Sequence, residues 1–325
     1  MSTGLTKKDQ KRLMLFAGRS HPALANEVAS ILDVDLVPMR AVTYANSEIY
    51  VRFEESVRGS DAFVIQSHHA PVNEWMMEQL IMVDALKRAS AKRITVVSPF
   101  YPYARQDKKH AGREPISARL MADLYAAAGA TRIMSVDLHA AQIQGFFNGP
   151  VDHLHAMTLL SDYVAQKYGE EDLVVVSPDA GRVRMADQWT DRLGCPLAII
   201  HKRRDPNVAN TVAVHEVVGD VEGRVCLLVD DMIDTAGTIC LAADALMARG
   251  AKAVIAAATH AVLSGPAPDR LNRSAFKEVI VTNTLPIDES INIECLTVLS
   301  IAPLIAKAIK EVFTEGSVTS LMNEN

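Results

Sequence analysis

Two adjacent carboxylates, Asp230 and Asp231, follow the apolar run Val225, Leu227, Leu228, Val229 in the segment VCLLVDDMIDTAGT. A pair of buried charges without partners is costly, so this pair must meet hydrogen-bond donors. A furanose diol offers two hydroxyl donors at suitable spacing. Next come Asp234, Thr235, Ala236, Gly237 and Thr238, which place hydroxyls and backbone N–H groups at the N-terminus of an expected helix. Such a turn cradles an anion, and its small residues let a phosphate approach the backbone closely. A simpler role for Asp234 or Thr235 is that of helix cap. Strand, acidic pair and small-residue turn in sequence point instead to a sugar phosphate.

Other segments carry chemistry of a different kind. His201-Lys202-Arg203-Arg204 is followed by Asp205, Pro206 and Asn207, three consecutive cations after the strand-like 198–200. By composition alone this is a solvated loop. Asp137 and His139 follow one β-branched run, and Asp179 another; Asp179 has the hard oxygen donors that magnesium prefers, whereas a lone His after a strand is ordinarily structural. Asp137, two positions before His139, suits the part of orienting it or binding water. The chain contains no G-x-x-x-x-G-K-[ST], so any nucleotide is held without a P-loop.

These residues need elements to position them. Short β-branched runs alternate with segments of helical periodicity, which defines an α/β fold with mainly parallel sheets covered by helices. Strands are expected at 13–17, 62–66, 94–98, 132–136, 173–177, 225–230, 253–259 and 278–282, and helices at 74–89, 116–128, 235–249 and 302–313. The stripe Trp75, Met76, Leu80, Val83 reads as core. VVSP occurs at 96–99 and again at 175–178, which suggests two similar α/β domains, here bounded as 1–154 and 155–325. The functional residues cluster after strands, where open α/β sheets bind ligands. A net charge of −6 provides no overall field for nucleic acid or an anionic membrane. No apolar stretch has the length of a signal-peptide core or a membrane span, so a cytoplasmic location is expected. Cys195, Cys226, Cys240 and Cys295 lack zinc-site spacing and read as buried reduced thiols.

The segment VCLLVDDMIDTAGT resembles the phosphoribosyl-diphosphate loop of the type I phosphoribosyltransferase fold. Together with YPYARQDKKH at 101–110, SVDLHAAQIQGFF at 135–147, VVVSPDAG at 174–181 and HKRRDPNVAN at 201–210, the chain resembles the ribose-phosphate pyrophosphokinases from about residue 13 to 313. The resemblance implies transfer of the β,γ-diphosphoryl group of ATP to the C1 hydroxyl of ribose 5-phosphate, giving phosphoribosyl diphosphate and AMP. It assigns Lys202 and Arg204 as catalytic cations on a loop that closes over the triphosphate. It further implies ATP binding by Tyr44, Asn46, Ser47 and Glu48 from one subunit and by Arg105 and Gln106 from another. Ribose 5-phosphate would meet Arg204, Asp230, Asp231 and the turn Asp234, Thr235, Ala236, Gly237, Thr238, and Mg2+ would meet His139 and Asp179. A homo-oligomer, expectedly a hexamer, with phosphate and ADP as effectors also follows from the family. Four departures stand out: Asn148 in FFN where FFD is usual, His110 after QDKK where an acidic or another residue is often found, Arg182 where a second glycine is common, and Ala236 where many relatives carry Gly. A phosphoribosyltransferase would share the ribose loop but not the ARQ and DLHAAQIQGFF segments. A catalytically silent regulatory homologue would not be expected to retain Lys202, Arg204, His139 and Asp179.

Overall fold

A computed structural model describes residues 11–203, 214–288 and 290–319. The chain divides into two compact units, one comprising residues up to Leu154 together with those from Ala302 onward, the other His155–Ile301. The C-terminal helix α8 (Ala302–Thr314) therefore belongs with the N-terminal unit, where it packs on α1 (Pro22–Leu32), and not with a second domain running to 325. Its buried face, Ala302, Ile305, Ala306, Ala308 and Ile309, recurs at helical spacing.

In the first unit, β1 (Leu13–Ala17), β4 (Asp61–Ile65), β5 (Arg93–Val97), β6 (Arg132–Val136) and β7 (Val151–Leu154) form a five-stranded sheet in that order. All four pairings are parallel. Helices α2 (Val72–Arg88) and α3 (Ser117–Ala128) supply the crossovers between β4, β5 and β6. Buried strands of this kind read as continuous apolar runs, as Ala62, Phe63, Val64 and Ile65 do. A separate antiparallel pair, β2 (Met39–Thr43) and β3 (Ile49–Phe53), alternates half-buried and exposed residues along β3.

The second unit begins with α4 (Met157–Tyr168) and β8 (Leu173–Ser177), followed by α5 (Val183–Leu193), β9 (Leu197–Arg203) and β10 (Val214–Val218). Then come β11 (Val225–Ile233), α6 (Gly237–Ala248), β12 (Ala253–Ala261), α7 (Ala267–Asn272), β13 (Phe276–Thr282) and β14 (Leu296–Leu299). Its sheet runs β10-β9-β8-β11-β12-β13-β14, with only the β10–β9 edge antiparallel. The five strands from β8 through β11 to β14 repeat the sequential, parallel order of the first unit. The similarity of the two halves is therefore real, but VVSP does not mark it. That tetrapeptide ends β5, third in one sheet, and β8, first of the five in the other.

The core of the second unit is centred on β11, whose Val225, Cys226, Leu227, Leu228 and Val229 are at most 1% exposed. Each such side chain contributes roughly 1.5–3 kcal/mol of burial. From β8 the chain steps to β9 on one side and returns to β11 on the other. This reversal of strand order opens a crevice above the carboxyl ends of β8 and β11.

Candidate functional site

The acidic pair stands at that crevice. β11 does not stop at Asp230: it continues through Met232 and Ile233 because β12 runs alongside, with Asp230 opposite Ala258 and Ile233 opposite Ala261. Asp231 is buried and Asp230 half-buried. The two are tied by a hydrogen bond in which Asp231 N–H donates to Asp230 Oδ1 at 2.8 Å. Arg182, after β8, lies between them, its Nε 3.0 Å from Asp230 Oδ1 and its Nη2 2.5 Å from Asp231 Oδ1. Burial and the adjacent Asp231 charge hold the Asp230 carboxyl above the usual carboxylate range, with Arg182 pulling against them.

The turn after β11 leads directly into α6. Ala236, at φ 58°, is the N-cap of α6 in left-handed conformation, and no side chain caps the helix. Neither Asp234 nor Thr235 takes the capping position. The turn is held from outside: Ser264 N–H donates to Asp234 O at 3.0 Å, and Arg270 Nη1 donates to Thr235 O at 2.9 Å. A Cβ on Gly237 would stand 3.1 Å from Arg270 Nη1, so glycine here lets a guanidinium approach the helix start. Thr235 and Thr238 are exposed at this turn. Arg270, on α7, is a cation that sequence reasoning missed. The only hint in the chain is its position shortly after Ser264-Gly265-Pro266, a turn signal following β12.

Asp179 follows β8 and is exposed; its Oδ1 accepts from Gly181 N–H at 2.8 Å and from Arg182 N–H at 3.1 Å. One carboxylate oxygen thus fixes the turn that carries Arg182. Lys202 lies in β9, its backbone in register with His215 of β10, and Arg204 lies outside the described residues.

In the first unit, Tyr44, Asn46, Ser47 and Glu48 form the tip of the β2–β3 hairpin. Tyr44 N–H donates to Glu48 O at 2.8 Å, Glu48 N–H to Asn46 Oδ1 at 3.2 Å, and Ser47 takes φ 70°. The Tyr44 ring is 52% exposed and available for stacking. Arg105 and Gln106 sit in the loop after β5, both exposed, with Gln106 Oε1 accepting from Ser117 Oγ at 2.6 Å. The structure thus gathers Asp179, Arg182, Asp230 and Asp231 in one crevice, with the 234–238 turn following β11. The residues of the first unit form separate surface groups.

His139 lies half-buried just past β6. Near it Asp137, in left-handed conformation at φ 36°, His153 and His155 bring ligand-type atoms within 4.8 Å of one another at the ends of β6 and β7. Both His153 nitrogens are engaged: Leu138 N–H donates to Nε2 at 2.8 Å, and the Gln144 amide meets Nδ1 at 3.2 Å. Two imidazoles, one of them so committed, suit magnesium poorly, whereas the Asp179 carboxylate suits a hard cation that keeps most of its waters. A cavity of about 480 Å³ bordered by Asp61, Arg93 and Arg132 sits at the amino ends of β4, β5 and β6, away from the strand ends that carry these residues.

Of the four cysteines, only Cys226 is fully buried; Cys195, Cys240 and Cys295 are partly exposed, which corrects the expectation of buried thiols throughout. Burial still raises all four, Cys226 to about 12 and Cys240 to about 11, so the thiols stay protonated at neutral pH.

The second unit thus sets an acidic pair and a helix start without a side-chain cap at the switch point of a mainly parallel α/β sheet. Residues 13–129 match the N-terminal domain of ribose phosphate pyrophosphokinase, and 206–323 match the phosphoribosyl synthetase-associated domain. The chain is 66% identical over 322 residues to a ribose-phosphate pyrophosphokinase of Streptomyces coelicolor, covering 99% of both chains. It is 63% identical to one of Mycobacterium tuberculosis, with 97% of both covered. A crystal structure of phosphoribosylpyrophosphate synthetase from Mycobacterium smegmatis superposes with a TM-score of 0.90 at 63% identity, over 94% of this chain and 100% of that one. The chain belongs to the ribose-phosphate pyrophosphokinase family. No helix among the described residues is long and apolar enough to cross a membrane.

Proposed function

We propose that the chain transfers the β,γ-diphosphoryl group of ATP to the C1 hydroxyl of ribose 5-phosphate, releasing AMP, with the acceptor held in the crevice of the second unit. The observation that carries this reading is the acidic pair Asp230 and Asp231 placed one turn before an α6 N-terminus with no side-chain cap. The carboxylates accept from the ribose 2- and 3-hydroxyls, and the N–H groups and hydroxyls of Asp234, Thr235, Ala236, Gly237 and Thr238 receive the 5-phosphate. Held at both ends, the sugar presents O1 to the β-phosphorus, and this positioning supplies much of the rate.

Lys202 and Arg204 stabilise charge that develops on the transferred group and on the leaving AMP oxygen; no protein nucleophile is needed. In this reading Tyr44 stacks on adenine, Asn46, Ser47 and Glu48 read its edge, and Arg105 and Gln106 of another subunit reach the nucleotide. That requires a homo-oligomer, for which we propose the hexamer expected of the family, with phosphate and ADP as its effectors and the cytoplasm as its location. Mg2+ would be held by Asp179, with His139 as the expected second residue, and would neutralise phosphate charge when bound.

The test is direct. Purified protein with ATP, Mg2+ and ribose 5-phosphate should release AMP, measured by chromatography; a phosphoribosyltransferase or a silent homologue would release none. Lys202→Ala should lower turnover by roughly 10³-fold while ribose 5-phosphate still binds by calorimetry. Near-normal turnover in that variant would remove Lys202 from the mechanism.

A further inference from the structure

Arg182 spans the acidic pair with one N–H for each carboxylate, at 3.0 Å to Asp230 and 2.5 Å to Asp231. Its side chain is 22% exposed, against 26% for Asp230 and 5% for Asp231. The root of the side chain is fixed as well, since the Arg182 and Gly181 N–H groups both donate to Asp179 Oδ1. The cation is therefore part of the crevice, anchored on the turn after β8 and reaching the strand beside it.

The consequence is one of charge and of acceptor atoms. Two adjacent carboxyl groups, one of them buried, form an oxygen-rich ligand set of the kind that binds divalent cations. Arg182 sets one positive charge between them and commits Oδ1 of both residues. Asp230 Oδ1 additionally accepts the Asp231 N–H. A neutral diol can still be received, because each carboxylate has further lone pairs. A divalent cation would have to displace a guanidinium already bonded to both groups.

We infer that Arg182 is a positioning and specificity residue which makes the Asp230–Asp231 pair a site for a neutral sugar diol and excludes a directly coordinated divalent cation. This rests on the assignment of the pair to the ribose diol.

The experiment compares the full-length protein with Arg182→Gln and Arg182→Lys. Mn2+ binding is counted by electron paramagnetic resonance without nucleotide or sugar, and ribose 5-phosphate affinity is measured by calorimetry. R182Q should bind one more Mn2+ per chain than the parent, and the extra ion should vanish in R182Q/D231N. Its ribose 5-phosphate affinity should fall roughly 30-fold or more, the scale of removing one partner of a desolvated charge pair, with KM for ATP unchanged. R182K keeps the charge without the fork, so it should bind no additional Mn2+ and hold the sugar roughly tenfold more weakly than the parent. An R182Q protein with no extra Mn2+, or with parental sugar affinity, overturns the inference. Should R182Q fail to fold, R182K decides: an additional Mn2+, or parental sugar affinity, refutes it. The parent protein keeps the two readings apart, since failure of the parent to bind ribose 5-phosphate refutes the diol assignment, whereas the Mn2+ counts alone judge cation exclusion.

Discussion

Glu278→Gln should destabilise the second unit by about 2–3 kcal/mol at pH 7, and the loss should shrink as the pH falls. Glu278 is a buried carboxylate on β13 that accepts four hydrogen bonds. Oε1 takes Tyr163 OH at 2.8 Å, Lys167 Nζ at 2.9 Å and Thr297 Oγ1 at 2.6 Å, and Oε2 takes Tyr168 OH at 2.6 Å. Burial alone would raise this carboxyl, but the donors from Thr297, Tyr168, Lys167 and Tyr163 outweigh it and bring it from 4.5 to about 2. At about 1.4 kcal/mol per unit this corresponds to a ceiling of ~3 kcal/mol. The half-exposed Lys167 ammonium is screened by solvent, which lowers the share due to the ion pair. Gln retains one acceptor oxygen but turns the other into an N–H donor that faces the Tyr168 hydroxyl. Because the folded pKa lies below the unfolded one, the stabilisation is fully present above about pH 5 and is lost as pH falls toward 2. The chain has one tryptophan in each unit, Trp75 on α2 and the buried Trp189 on α5, so a Trp75→Phe background isolates the second unit. Urea titrations of that background with and without E278Q, at pH 7 and pH 3, should give a stability gap that narrows by roughly 1–2 kcal/mol. A gap below about 0.5 kcal/mol at pH 7, or one equal at both values, would refute the claim that the charged form is what the four donors hold.

Two further outcomes follow from the crevice. Arg270→Ala, which removes the guanidinium bonded to Thr235 O, should raise KM for ribose 5-phosphate roughly tenfold and leave kcat within about threefold, by steady-state AMP release; unchanged KM would show that Arg270 does not support the turn. Ala236→Gly should change thermal stability by less than about 1 kcal/mol, because relief of the left-handed strain, about 1 kcal/mol, is offset by greater unfolded-chain entropy and loss of a buried methyl. A melting shift well beyond that range, in either direction, would show that the turn is strained or braced in another way.

The buried strands were legible because their residues leave no alternative. LMLFA, RIMSV and LVVVS form β1, β6 and β8 over the same five residues that their β-branched and apolar runs mark. β11 outlasts its apolar run because a neighbour carries it: β12 supplies ladder partners for Asp230, Met232 and Ile233, and nothing local to those residues announces this. The same distinction separates the site residues. Asp230, Asp231 and the 234–238 turn are contiguous, so their joint chemistry shows in the chain. Arg182 stands 49 positions from Asp231, and Arg270 stands 35 positions from Thr235. Arg182 appeared in the sequence only as a departure from the family pattern. Its purpose comes from β8 and β11 being adjacent strands.

Strand order also separates the two similar sheets. In the first unit β1 forms the edge of its sheet, β2 and β3 pair apart from it, and successive strands are added in one direction. No reversal of strand order occurs there among the described residues. In the second unit β9 and β10 extend the sheet on the far side of β8, which places β8 and β11 in its interior with their outgoing connections turning opposite ways. The gap so formed receives the turn after β8, with Asp179 and Arg182, on one side, and the acidic pair of β11 on the other. In the first unit the turn after β1 likewise faces the end of β4, where Gly18 N–H donates to Ile65 O and Ser20 Oγ donates to Gln66 Oε1, but its Arg19 turns to Glu78 of α2. In the second unit the turn after β8 instead sets the Arg182 guanidinium against the two carboxylates near the end of β11, one buried and one half-buried.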